Sequence, residues 1–417
     1  MIETGSQGGR WYAFSLGSAI VFFVFAAAVT AMPVLFAEIA SELDLSILQV
    51  GTIWGASSAA GIFSILLAGF LADRYGVRRV LAVFCLAAGV FGASRGLSTD
   101  MPTLVVTSVL FGMAAEPVPV IVVKSVSQWF RGRGLGMAQG IMTASVGGGL
   151  MLGSALSATV LSPLLGGWNN VLYLYGGISV VLGIVWYLTV PEPLASPQTG
   201  SDIPLPSLRR AFGRVTRSRN VWLIAIAMMG FAGANKGVMG YLPLYLRNAG
   251  WTAVSADGAL AALNAAGTAA SVPFTLLSDR LGRRKTVLIP ALFISIAGIL
   301  LLTWVLGPAV WLLVILAGVF RDMVWAMAAT MTVESEGIGP EYAGTAVGIV
   351  HGFTRLGYTF APPAGNALEV ISAGMPYAFW AGLCGLALLF FLFVPETGRG
   401  MKGHAAAPSG VLTRRKP

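Results

Sequence analysis

Long apolar runs separated by short polar turns repeat along the whole chain, and twelve of them reach the roughly 20 residues a helix needs to cross a bilayer. They fall near 11–37, 47–72, 79–98, 102–127, 134–161, 168–190, 220–246, 256–278, 285–306, 308–333, 343–371 and 375–394. Backbone polar groups in hydrocarbon must be bonded within their own segment, so the pattern predicts an all-α integral membrane protein. An even number of crossings leaves both termini on one side.

The pattern also divides in two. A polar, proline-rich and then basic stretch follows the sixth run, which predicts a six-helix bundle over 1–190, a linker at 191–219, a second six-helix bundle over 220–397 and a tail at 398–417. Within the linker, residues 205–217 read as a short amphipathic helix lying on the membrane surface, its arginines toward anionic headgroups. The halves echo each other. Asp73 falls on Asp279, Gly112 and Glu116 on Gly318 and Asp322, Pro191-Glu192 on Pro395-Glu396, and Gly136, Gly140, Gly153 and Leu156 on Gly348, Gly352, Gly365 and Leu368. A tandem duplication with a period near 205–212 residues in a hydrophobic chain is the pattern of a transporter.

Composition narrows the function classes. Of the 417 residues 56% are hydrophobic and 10% charged, against roughly 25% charged in soluble domains. A net charge of +9 would point a soluble protein toward nucleic acid, but here the basic residues sort by loop. Arg10, Arg74, Arg78, Arg79, Arg131, Arg133, the cluster at 209–219, the cluster at 280–285 and the tail lie on one side, while the other keeps little beyond Arg95 and Arg247, with Glu38, Glu42 and Asp44 beside them. The positive-inside rule then makes both termini and the linker cytoplasmic, in a cell inner (plasma) membrane, with lipid and no nucleic acid as partner. Cys85 and Cys384 read as two buried free thiols. Without a metal-ligand cluster, a nucleophile elbow or a phosphate-binding loop, the expectation is no cofactor, no metal and no enzyme. The first run is too long for a cleaved signal peptide.

The repeated turns carry a signature. Gly69, Asp73, Arg74, Gly76, Arg78 and Arg79 are echoed by Asp279, Arg280, Gly282, Arg284 and Lys285, with Thr275 in place of the leading glycine. In these residues the chain resembles the major facilitator superfamily, whose loop between helices 2 and 3 has the form G-x-x-x-D-R-x-G-x-R-R. The resemblance covers both halves. It implies two six-helix bundles related by a pseudo-two-fold axis, a cavity lined by helices 1, 4, 7 and 10, and rocking contacts on helices 2, 5, 8 and 11. It also implies a gating role for Asp73, Arg74, Arg78, Asp279, Arg280 and Arg284. Small-residue stripes such as 55–61 and Gly147-Gly148-Gly149 with Gly153 then read as helix packing faces. The segment 129–140 resembles the helix 4 to 5 connection of organic-anion branches, the monocarboxylate, oxalate/formate, hexuronate and nitrate/cyanate porters, although the nitrate branch's charged helix 2 is missing.

The few ionisable residues inside the runs are the candidates for chemistry, because a charge at mid-bilayer costs at least about 2.5–3.5 kcal/mol. They are Glu116, Lys236, Arg321, Asp322, His351 and Arg355, with Lys124 set aside as near enough to the interface to snorkel. Proline and glycine predict inward-facing breaks beside them: Pro117 and Pro119 in helix 4, Gly230, Gly233, Gly237 and Gly240 around Asn235 and Lys236 in helix 7, and Pro362-Pro363 in helix 11. Three permanent cations face two carboxylates. A spare arginine fork is a natural anchor for a carboxylate, so Arg355 and Arg321, with Lys236 and Asn235, are expected to bind substrate between walls formed by Tyr241 and Trp325.

Glu116, Asp322 and His351 are the proton-coupling candidates. Arg321 points about 100° away from Asp322 around the helix, which predicts that Asp322 pairs with Arg355 and leaves Glu116 to carry the proton. The sequence thus predicts a monomeric secondary transporter of a small organic anion, a carboxylate, working by alternating access with protons, in symport or antiport. Two alternatives stay open: a proton-driven exporter of cationic or amphipathic compounds, and a transporter-like sensor.

Overall fold

The computed structural model describes residues 7–130, 133–191, 208–335, 338 and 340–397. These form twelve long helices: α1 Gly9–Glu42, α2 Ile47–Tyr75, α3 Val77–Leu97, α4 Met101–Trp129, α5 Met137–Leu165, α6 Trp168–Thr189, α7 Arg219–Asn248, α8 Ala253–Leu281, α9 Lys285–Leu301, α10 Ala309–Glu334, α11 Pro340–Asn366 and α12 Met375–Phe393. Among the described residues ten helices are long and apolar enough to span a membrane. The other two are α9, at 17 residues slightly short, and α11, whose mean hydropathy is lowered by His351 and Arg355. This is consistent with the twelve expected crossings. A short helix, Leu208–Val215, lies within the expected linker, and its Arg210 and Arg214 are exposed. The tail beyond Thr397 lies outside the described residues.

Local chemistry sets the helix ends. Ser46 and Gln49 form a reciprocal capping box at the start of α2, and Thr252 caps α8. The repeated signature turns end in Gly76 at φ +87° and Gly282 at φ +64°. This left-handed backbone is one that glycine adopts without a steric penalty, which explains why both copies carry it.

Helices α1–α6 and α7–α12 make two bundles, and the repeat is visible in their packing. A Cβ on Gly112 of α4 would lie 1.8 Å from the Ser57 carbonyl of α2, and one on Gly318 of α10 would lie 2.3 Å from the Leu263 carbonyl of α8. The small-residue stripes are packing faces: Gly55 meets Thr359 of α11, Gly147 meets Thr268 of α8, and Gly149 and Gly153 meet α1.

Three helices break near mid-length: α2 at Ala60, α4 at Glu116-Pro117 as expected, and α10 at Phe320. The expected loosening of α7 is absent, because α7 is one continuous helix of 30 residues. Its glycines serve close approach, Gly233 to Gly357 and Ala361, Gly237 to Trp380 and Gly240 to Trp54. Nor does Pro362-Pro363 interrupt α11, which stays helical to Asn366. Proline there leaves the Thr359 carbonyl without its helical partner, and that carbonyl lies against Gly55 of α2.

The bundles meet at the end remote from the termini and part at the other. At the remote end the Asn366 amide donates to the Ile47 carbonyl at 2.9 Å, Gly51 packs on Pro362, and the Trp54 indole donates to the Lys236 carbonyl at 2.7 Å. Arg247 and the fully buried Asp257 hold the α7–α8 connection at 2.6 Å. At the end bearing the termini, a Cβ on Gly140, Gly344, Gly348 or Gly352 would meet nothing within 4 Å, and His351 is exposed. The chain is therefore open on the side of the termini and closed on the other.

Candidate functional site

At the broken middle of α4, Glu116 reaches across to the other bundle. Its Oε2 lies 2.7 Å from Nη1 of Arg355 on α11, with the two side chains only 10% and 14% exposed. Gly61, just past the break in α2, leaves room for both, since its missing Cβ would sit 3.5 Å from each. The Arg355 guanidinium also lies 5.5 Å from the Tyr358 ring. Beside this pair is Lys236 of α7, 8% exposed, its Nζ 3.3 Å from the centre of the Trp54 ring and 5.7 Å from that of Tyr358. No carboxylate lies within 4 Å of Lys236 among the described residues. An aromatic cage holds its ammonium in place of an ion pair.

The second expected pair is arranged differently. Asp322 does not meet Arg355. Its Oδ1 accepts from Nε of Arg321 at 2.9 Å, and Arg321 donates further to Asn264 Oδ1 at 2.8 Å. Although adjacent residues diverge around a helix, the break at Phe320 puts both at the start of a new segment, and the long arginine side chain folds back. Gly267 of α8 packs against this pair as Gly61 does against the first.

The count of three cations and two carboxylates holds, but the spare cation is Lys236 and both arginines are paired. Tyr358 lies within electrostatic reach of both ion pairs. The Trp325 and His351 rings are tilted by 39° with centres 6.0 Å apart, Trp325 lies 6.2 Å from Tyr358, and the first two line a small cavity toward the open end.

Two other expected residues are turned away. Tyr241 is 2% exposed, donates to the Ala373 carbonyl at 3.0 Å and belongs to an aromatic cluster with Tyr245, Tyr377 and Trp380, so it is core and not cavity wall. Asn235 spends its amide on the Phe231 carbonyl one turn back at 2.9 Å. Sequence reasoning missed Trp54, Tyr358, Gly61 and Asn264. None carries a charge in an apolar run, which was the signal used to find the others.

At the terminal end, Asp73 pairs with Lys124, which snorkelling had set aside, inside the first bundle. Arg78 donates to the Tyr187 carbonyl and stacks on its ring, with Cζ 5.0 Å from the centre. Arg74 lies over the Tyr75 ring at 5.5 Å. In the second copy Arg284 meets Glu334 at 3.3 Å and Arg280 is exposed, while the Asp279 side chain lies outside the described residues. Cys85 and Cys384 are buried and free, and no group of three His, Cys, Asp or Glu fit for a metal occurs among the described residues.

Two mirrored bundles, a signature turn in each and ionisable residues at their junction agree with one family, whose sequence model, the Major Facilitator Superfamily, matches residues 17–271 and 257–416. The chain belongs to the Major Facilitator Superfamily. It is a multi-pass membrane protein of that type, and the family and the relatives found are membrane transporters, not enzymes.

Within the superfamily it is 27% identical over 230 residues to the nitrate/nitrite transporter NrtP of Nostoc punctiforme, 53% of this chain and 42% of that one. It is 26% identical to a probable L-galactonate transporter of Escherichia coli, covering 57% and 52%. The chain thus spans about half the length of these two curated relatives. A longer match, 25% identical over 84% of this chain and 87% of the relative, is to the 3-(3-hydroxy-phenyl)propionate transporter of Escherichia coli. In fold it is similar to the nucleoside transporter NupG, with a TM-score of 0.76 at 15% identity over 92% and 99% of the two chains. It is likewise similar to a bacterial homologue of the lysosomal transporter Spinster, with a TM-score of 0.73 at 15% identity over 94% and 95%.

Proposed function

We propose that this protein is a secondary transporter that moves a small organic anion, a carboxylate, together with a proton across the inner membrane. The reading rests on one observation above others, the Glu116–Arg355 pair that bridges the two bundles beside the unpaired Lys236. A carboxylate substrate and Glu116 compete for the same guanidinium. When a proton neutralises Glu116, Arg355 and Lys236 are free to take the substrate. When the substrate leaves, Glu116 gives up its proton and retakes Arg355.

Charge balance supplies the coupling. Loading one proton and one carboxylate leaves the net charge of Glu116, Arg355 and Lys236 unchanged, whereas a proton alone strands both cations without a counter-charge in low dielectric. Because the carboxylate gains Arg355 only when Glu116 is protonated, competition for that guanidinium ties substrate to proton, which is what alternating access with symport requires. The arrangement serves import or export according to the gradients.

Two further observations support an anion. Several relatives carry anions by name, hexuronate, galactarate/D-glucarate and sulfoacetate among them. Both site carboxylates are occupied by arginines, which among the described residues of the junction leaves no free acid for the cationic cargo of an exporter. Basic residues on the open side support a cytoplasmic location for the termini, and a site built within a single chain supports a monomeric working unit.

The test is transport in proteoliposomes of a carboxylate first identified by thermal shift. Glu116→Gln is expected to retain exchange between equal pools and lose accumulation driven by a pH gradient. Accumulation surviving in Glu116→Gln and vanishing in His351→Gln moves the proton to the histidine; survival in both removes proton coupling at these residues.

A further inference from the structure

Arg95 reads in the sequence as a cation of the outer loop, and the structure buries it. It is 2% exposed at the end of α3, its Cζ 3.7 Å from the centre of the Phe111 ring. Its Nε reaches the Gly92 carbonyl at 3.3 Å, Nη2 has no hydrogen-bond partner, and no carboxylate lies within 4 Å among the described residues. The guanidinium lines a cavity of about 20 Å³ with Lys236, Ser57, Ser108, Glu116 and Trp54.

Ser108 Oγ is also buried without a hydrogen-bond partner among the described residues. The remaining wall is mostly apolar, from Val29, Met32, Phe36, Ile53 and Phe111. The cavity therefore contains two cations without carboxylate partners and an unused hydroxyl, while its one acid, Glu116, is committed to Arg355. Its volume suits about one water-sized group.

We propose that Arg95, Ser108 and Lys236 form a second anion subsite, taking one compact anionic group. A water there would satisfy hydrogen bonds and leave two buried positive charges uncompensated, whereas an anion answers both. Two sources share this chemistry: a free halide, or the far acidic group of a substrate whose first carboxylate sits at Arg355. The second source rests on the transport reading above and the first does not, so the two fail separately.

The experiment uses the purified full chain. In one arm, chloride and bromide are titrated at constant ionic strength and thermal stability is followed. In the other, calorimetry compares a monocarboxylate with the dicarboxylate of one further carbon.

A saturable halide stabilisation that disappears in Arg95→Gln and weakens in Ser108→Ala assigns the subsite to the halide. A dicarboxylate preference of about tenfold that collapses in Arg95→Gln assigns it to the substrate. Arg95→Met keeps the packing on Phe111 without the charge and guards against a misfolded glutamine variant. If Arg95→Met folds and both responses match those of the wild type, or if the wild type shows neither, Arg95 is a packing residue and the proposal is wrong.

Discussion

Glu116 and Asp322 hold matching positions in the two repeats, each beside a glycine of the neighbouring helix and each bound to an arginine, yet their arginines come from different places. Asp322 has Arg321 next to it in sequence, where the first repeat has Ala115. Its partner travels with its own bundle. Glu116 lacks a neighbour of that kind and takes Arg355 from the opposite bundle. A pair inside one bundle persists through any rocking motion, while a pair across the junction is exposed to each movement and to each ligand that enters. Duplication gave two equivalent acids, and a single residue separates the one paired within its bundle from the one paired across the junction, which the proposed function makes the coupling acid.

The largest test of this contrast removes the bridging cation. Arg355→Ala is expected to abolish carboxylate binding by calorimetry. Arg355→Lys keeps the charge but loses the two-pronged geometry and is expected to weaken binding about 10- to 100-fold. Undiminished binding in Arg355→Ala and in Lys236→Ala would falsify the assignment of the anion to this junction.

The intrabundle pair should respond in stability and not in coupling. Asp322→Asn leaves the buried Arg321 without its carboxylate, and because Asp322 is half-buried and Arg321 keeps Asn264 the expected cost is about 1–3 kcal/mol. A clear fall in Tm is expected, with the accumulation ratio per folded molecule unchanged. Asp322→Asn behaving like Glu116→Gln in a pH gradient would erase the distinction.

The paired glycines make a milder version of the same comparison. A Cβ at Gly267 would lie 3.0 Å from the Gly318 carbonyl and 3.1 Å from the Asp322 carboxylate, whereas at Gly61 the nearest atoms are 3.5 Å away. Gly267→Ala is therefore expected to lower Tm by strain of about 1–3 kcal/mol, and Gly61→Ala to leave Tm almost unchanged. Equal losses at the two positions would contradict the spacing.

What the sequence revealed follows from what a bilayer penalises. Helix number, the duplication and the signature turns were legible because each needs long apolar runs or a glycine in a forced backbone. Charges in those runs were legible for the same reason, and Glu116, Lys236 and Arg355 do converge. Pairing was not legible. It depends on which way a long arginine folds after a helix break at Phe320, a position with no proline to announce it. Tyr358 and Trp54 were hidden among many aromatic residues, and Arg95 looked like a loop cation because it stands one turn from the end of its run.

A gating residue should sit apart from both ion pairs. Asp73 is 68% exposed and pairs with Lys124 within its own bundle, so Asp73→Asn is expected to slow transport several-fold with binding by calorimetry unchanged. A matching loss of affinity would tie the terminal-side turn to the junction and weaken the separation of roles.

The smallest expected effect isolates the pH dependence. Asp100, before α4 and outside the membrane span, is held below the usual carboxylate range by the backbone N–H of Thr103 at 2.9 Å and then by the Thr103 hydroxyl at 2.7 Å. A depressed pKa stabilises the fold above the unfolded value of about 3.9. That contribution is lost as pH falls through the lower folded value. Between pH 5 and 8 the cap is therefore constant. Asp100→Asn, which retains an N-cap acceptor, is expected to flatten the change of Tm below about pH 4 and to leave the pH dependence of transport from 5 to 8 intact. Because the cap does not titrate in that window, transport that lost its pH dependence in Asp100→Asn would place the proton step outside Glu116 and break the comparison at its source.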